Sequence, residues 1–219
     1  IHTLSLHDAL PILRKEALEA IGDNVERNIA LPVLYSAVKD NNFEIKYAAY
    51  EYLSKYDDLS IKRKAIAGNF ILENVICGGK KVIYVSRKDY PRIVIFGSPV
   101  YCKQDIFVES QNKEIVINGY SGSKFLTVSR KHPTRPKIIG PWKSSYDISD
   151  VIKTLCEETV VENKTLMIPG LNVSYSEVTS LLEQMCNQHA VDAEFMPGEM
   201  TNAGVMLVPQ TEGTDNKKK

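Results

Sequence analysis

The chain has 219 residues, and its 27 basic and 27 acidic side chains cancel, so no net field draws it towards nucleic acid or an anionic membrane. An apolar fraction of 43% and a charged fraction of 25% describe an ordinary folded protein of one or two domains. No apolar run approaches the roughly 20 residues of a membrane-spanning helix. Nucleic acid and membrane are therefore not favoured as partners.

The opening run Ile1 to Ile12, back-translated from His2, matches the end of a widely used sequencing-library adapter, whose last base starts a codon that suits Leu13. Residues 1–12 are thus expected to be translated adapter with no selected packing. On the same reading the native N-terminus, with any export signal, is missing.

From Leu13 to about Tyr56 apolar residues recur at helical spacing: Leu13, Ala17, Ala20 and Ile21, then Leu31, Leu34, Tyr35 and Val38, then Ile45, Ala48, Ala49, Tyr52 and Leu53. Breaks fall at Gly22-Asp23-Asn24 and Asp40-Asn41-Asn42, and Pro32 suits the first turn of the second helix. Glu16–Ile21 realigns with Ala48–Leu53 at an offset of 32, which predicts a short HEAT-like α-solenoid over residues 13–72. Such units need neighbours to stack on, so Leu13, Ala17, Ala20 and Ile21 are expected to present an unpaired apolar face. A further helical stretch is expected around Ser60 to Ala67.

The pattern then changes to short runs rich in Val, Ile, Tyr and Phe at Val82–Val85, Ile93–Phe96, Ile106–Val108, Glu114–Ile117 and Phe125–Val128, parted by Gly and Pro turns. They predict a small antiparallel sheet or partial barrel. Two helices follow. One starts near Ser149, capped by Asp147 or Ser149, and buries Val151, Ile152, Leu155 and Cys156. The other runs from Ser174 to Asn187, opened by the capping box Ser174-Tyr175-Ser176-Glu177, and buries Val178, Leu181, Leu182 and Met185. Residues 160–170 read as a loop. The fold class is α+β, with a β-rich domain at 73–200 and a small, polar tail at 201–219 expected to be disordered.

Residues able to do chemistry are sparse. Cys77, Cys102, Cys156 and Cys186 stand far apart, without C-x-x-C or histidine at ligand spacing, so neither metal nor cofactor is expected. Buried thiols or disulfides both remain open. His132 and His189 lie in no recognisable nucleophile context. Cys77-Gly78-Gly79-Lys80 lacks the order and the Ser/Thr of a phosphate loop and reads as a turn. No catalytic residue is assigned, and an enzyme is not expected. One candidate site stands out: Arg87, Lys88, Arg92, Arg130, Lys131, Arg135 and Lys137, interleaved with Tyr90 and Trp142. Lys81–Lys88 and Lys124–Lys131 are two strands that end in the same Ser-Arg-Lys step, which suggests a basic interaction rim along one edge. Trp142 reads as a lid over the core.

The order of elements resembles a group of flagellar basal-body P-ring proteins that carry a HEAT-like segment before a β-plus-helix region. The likeness lies in Ile45–Leu53, in Lys81–Gly97 (strand, Ser-Arg, proline, strand, phenylalanine, glycine) and in Tyr175–Val178. It implies a non-catalytic structural subunit of a periplasmic cell-envelope assembly, acting through protein–protein contacts and able to form a ring of copies. It supplies no catalytic residue to carry over. The alternative is a HEAT-type scaffold or adaptor with weak nucleic-acid affinity through the basic rim.

Overall fold

The structure, a computed structural model, describes residues 11–67, 69–86, 88, 90–132, 134, 136–158, 160–162, 166–168 and 170–198. Three helices come first: α1 (Pro11–Asn24), α2 (Arg27–Ala37) and α3 (Phe43–Lys55). The α3 start is fixed by Asn42, whose side chain accepts from the amides of Glu44 and Ile45, which satisfies two donors that the helix itself leaves unpaired. α1 and α3 run side by side in the same direction. Tyr52 donates to the Glu19 carbonyl at 3.2 Å and Tyr56 to that of Gly22 at 2.9 Å. A Cβ on Gly22 would stand 2.4 Å from the Tyr52 ring, so close approach of the two helices requires glycine there.

The helices cover one face of a five-stranded mixed sheet of order β1-β2-β4-β3-β11, formed by β1 (Ile61–Ile66), β2 (Phe70–Val75), β3 (Val82–Ser86), β4 (Arg92–Phe96) and β11 (Glu194–Pro197). β1/β2 and β3/β4 pair antiparallel, whereas β2/β4 and β11/β3 are parallel. Alternate residues serve two cores. Val75, Val82, Tyr84, Val94 and Phe96 meet the helices, while Phe70, Leu72, Ile83, Ile93 and Ile95 face the other way. A sheet covered on both faces needs apolar residues at successive positions, and Ile93-Val94-Ile95-Phe96, buried throughout, meets that need.

On the far side lie α4 (Ile148–Cys156) and α5 (Tyr175–Asn187), and beyond them an antiparallel sheet of β5 (Phe107–Glu109), β6 (Ile115–Asn118), β7 (Leu126–Lys131) and β8 (Ile138–Ser144). α4 is buried along most of its length, as a helix held between two layers must be. Val108, Ile115, Ile117, Leu126 and Val128 point inward to the same core. Asp147 caps α4, and the reciprocal Ser174–Glu177 box opens α5. A short hairpin, β9 (Val160–Glu162) and β10 (Leu166–Ile168), joins the two helices, where the sequence suggests a loop.

Several expectations change. The chain is mixed α+β with two main open sheets; no barrel closes among the described residues, and the larger sheet is mixed rather than antiparallel. The stretch Ser60 to Ala67 holds strand β1 (Ile61–Ile66), not a helix, because Ile61 enters the helix-side core and Ile66 the opposite one, the two-faced pattern of a strand. The division drawn at 72/73 falls inside β2. Pro32 lies inside α2 rather than in its first turn, because the helix starts at Arg27. The three helices form one layer against a sheet, and Leu18 is the buried residue of α1. Of its expected outer face, Leu13 and Ala20 are exposed and Ala17 and Ile21 half-buried. Residues 1–10 and 201–219 lie outside the described residues.

Candidate interaction surfaces

The residues of the basic rim meet different fates. Arg130 follows the inward parity of β7, opposite Ile115, and its guanidinium donates to the carbonyls of Leu171 at 3.2 Å and Asn172 at 2.6 Å and to Glu177 at 2.7 Å. With 11% of its side chain exposed, it is an internal tie. Arg92 opens β4 half-buried and donates to the Tyr50 hydroxyl at 3.3 Å. Burial opposes its charge, but Tyr50, Tyr47 and Glu73 outweigh that and hold its pKa above the ordinary value. Lys88, Lys131 and Lys137 are exposed. The last two line a hollow of about 350 Å³ with Glu114, His132, Pro136 and Ile138. Arg87 and Arg135 lie outside the described residues. The two Ser-Arg-Lys strand ends do converge on the first turn of α5: Tyr175 donates to the carbonyls of Ser86 and Arg92 at 3.0 and 3.1 Å, while Arg130 holds Glu177. Trp142 is half-buried and packs on the core.

A second cluster, which sequence reasoning missed, is buried between α3 and the five-stranded sheet. The Glu73 carboxylate accepts from the Tyr50 hydroxyl and, at 2.6 Å, from Arg63 Nε. Arg63 also donates to Asp57 at 2.5 Å and to Ser54. Burial, with Glu73 beside it, pushes the Tyr50 phenol up and keeps it a donor. Nearby, Phe43, Tyr47, Tyr84 and Phe96 form a continuous set of ring contacts. Lys46 is fully buried beside them and donates to the Lys80 carbonyl at 2.5 Å. Burial lowers its pKa, with Lys80 adding to the effect and Cys77 and Asp40 opposing it. A buried charge persists only when paired or hydrogen-bonded, and these groups meet that need internally, which makes the cluster a structural staple.

The four cysteines are free thiols. Cys102, Cys156 and Cys186 are buried and Cys77 half-buried. Burial raises all four pKa values, Cys102 to about 12 and Cys186 to about 11, which suits packing rather than reactivity. Among the described residues, no group of three or more His, Cys, Asp or Glu side chains could hold a metal ion, and no helix is long and apolar enough to cross a membrane.

Two outer surfaces hold large apolar side chains in solvent. On the helix layer, Ile12, Leu13 and Ile29 are 71%, 54% and 61% exposed, with Ala20 and Pro32 exposed near them in sequence. On the outward face of the four-stranded sheet, Phe107, Tyr120 and Phe125 are 65%, 67% and 51% exposed. Cross-strand register aligns Phe107, Asn118, Thr127 and Lys143 in one row. Asn118 Nδ2 donates to the Tyr120 hydroxyl at 2.8 Å, and continuation of the β6/β7 register sets Tyr120 opposite Phe125. In comparisons with known proteins the chain matches no family model, no curated protein and no solved structure.

Proposed function

We propose that the chain is a non-catalytic structural module that works through contacts between protein subunits, within a cell-envelope assembly of which the flagellar P ring is the specific reading. The observation that supports it is the apolar outer surface of the helix layer. An isolated exposed leucine is ordinary, but Leu13 on α1 and Ile29 on α2 are both more than half exposed on one helix layer, and apolar exposure shared along one layer marks contact surfaces. The side-by-side run of α1 and α3, joined at sequence separations of 33 and 34, supports the HEAT-like reading as well, since equivalent helices of successive repeats stack in this way. A neighbouring helical unit or subunit would then cover Leu13 and Ile29.

Sedimentation velocity over a concentration series tests this. The wild-type chain should associate, and Leu13→Gln with Ile29→Gln should shift it to monomer without moving its unfolding midpoint. A wild-type chain that stays monomeric at its highest soluble concentration defeats the self-contact. For the assembly, the coding sequence upstream of Leu13 decides: a cytosolic enzyme domain there, with neither export signal nor ring domain, defeats the P-ring reading.

A further inference from the structure

The zero net charge of the whole chain conceals a division along it. Residues 103–144, which form the four-stranded sheet and its loops, hold eight basic and three acidic side chains, whereas residues 147–199 hold two basic and ten acidic ones. The exposed aromatic trio lies on the outward face of the basic segment. Phe107 occupies the edge strand β5, level with Asn118; Tyr120 lies two residues after Asn118 and Phe125 two residues before its partner Thr127, just beyond the ends of β6 and β7. Strand geometry separates neighbouring members by about 5–8 Å. Among the described residues none of the three rings packs against another aromatic ring, and each is more than half exposed. Lys143 closes the row on β8, and Lys124 precedes Phe125; both are exposed. Of the nearby acids, Asp105 is engaged by the Ser121 amide, and Glu109 shares the outward face of β5 with Phe107, at the end of the strand away from Tyr120 and Phe125.

An open antiparallel face with separated aromatic rings and flanking lysines has the two elements that hold a single nucleic-acid strand. Flat rings stack on unpaired bases, and ammonium groups meet the phosphates between them. Asn118 and Thr127 lie in the same row and add polar atoms to the face. We propose that the outward face of β5–β8 is a binding platform for single-stranded nucleic acid, with Phe107, Tyr120 and Phe125 as stacking residues and Lys124 and Lys143 as phosphate contacts. A protein partner would also accept exposed aromatics, but the exposed cations Lys124 and Lys143 that flank them favour a polyanion. This surface is separate from the helix-layer contact, so either reading can fail alone.

The test is fluorescence anisotropy of the full chain with a labelled oligouridine and the matching oligothymidine of about ten nucleotides, within the site sizes of single-strand binders. Saturable binding should weaken about tenfold or more in Phe107→Ala with Phe125→Ala. In Lys124→Ala with Lys143→Ala, the slope of log affinity against log salt should become shallower by about 0.7 per lysine. All four side chains are exposed, and unchanged thermal unfolding would show that the variants are folded. Three results overturn the proposal: no binding at low salt; equal affinity for heparin or duplex together with indifference to the aromatic substitutions; or a fall in the chain's own sedimentation mass when the aromatics are removed, which would make the patch a protein contact.

Discussion

Replacing Tyr50 with Phe removes a hydroxyl that donates to Glu73, a carboxylate with 5% of its side chain exposed. A hydrogen bond to a charged group contributes about 1.5–3 kcal/mol, so Tyr50→Phe should cost about 2 kcal/mol. Glu73→Ala loses the same bond and the 2.6 Å bond from Arg63. Arg63 keeps Asp57 and Ser54 and is 31% exposed, so water and those partners limit the loss to about 3–4 kcal/mol, the lower part of the range for breaking a buried pair. The double variant should then fall short of the sum by about 1.5–2 kcal/mol, because the shared bond is removed twice. Urea unfolding by far-ultraviolet circular dichroism measures all three, with a constant slope as the check that compactness is unchanged. Thermally, Tyr50→Phe should lower Tm by about 4–8 °C for a chain of this size. Additive losses, with coupling below about 0.5 kcal/mol, would refute the idea that Tyr50, Glu73 and Arg63 act as one unit.

Arg130→Met keeps the stem but removes the ties to two carbonyls and Glu177, and should cost about 2 kcal/mol at neutral pH; a loss within about 0.5 kcal/mol, the usual surface effect, would return Arg130 to the solvent rim. Burial works to raise the Glu177 pKa, but bonds from Ser174 and the charge of Arg130 hold it below the ordinary value. Its stabilisation is therefore complete above the ordinary carboxyl range near 4.3 and is lost as pH falls through the lower folded value. The gap between wild type and Arg130→Met, from urea midpoints, should narrow over that acid window. Lys46 has the opposite sign: burial lowers its folded pKa, so the unfolded chain binds more protons between that value and about 10.4, and stability from this group rises with pH across that window. Lys46→Met should leave the protein within about 1 kcal/mol of wild type or more stable at neutral pH, with less advantage at pH 10, and a loss above about 3 kcal/mol in denaturant titration would refute this.

Legibility in the sequence followed one-faced burial. α5 could be read in full because Ser174 and Glu177 mark its start and Val178, Leu181, Leu182 and Met185 recur on one side. β3 and β4 were legible as unbroken apolar runs. β1 was not, since Lys62-Arg63-Lys64 fills an edge strand that needs only Ile61 and Ile66 for its cores, and charge on an edge guards against unwanted pairing rather than announcing a strand. Arg130 looked like a surface cation because sequence shows no partner; only the inward parity it shares with Leu126 and Val128, on the far side of the bulge that follows Val128, aims it at Glu177. The same alternation held the signal for the aromatic face. With Val108, Ile117, Leu126 and Val128 inward, Phe107, Tyr120 and Phe125 must point out. Lys46 and Glu73 gave no sign of burial, since polar residues next to Ile45 and Leu72 ordinarily face water.

The parallel pairing of β11 with β3 sets an order of events during synthesis. Residues 82–85 leave the ribosome 112 residues before their partners in Glu194–Pro197, the segment that covers their outer backbone. Until then the nascent sheet presents Val82-Ile83-Tyr84-Val85, a short apolar strand with one unpaired edge, beside helices that have already emerged to cover one face. Closure of the sheet therefore waits until β11 has emerged, and any pause in translation between α5 and β11 prolongs the time in which another chain can occupy that edge.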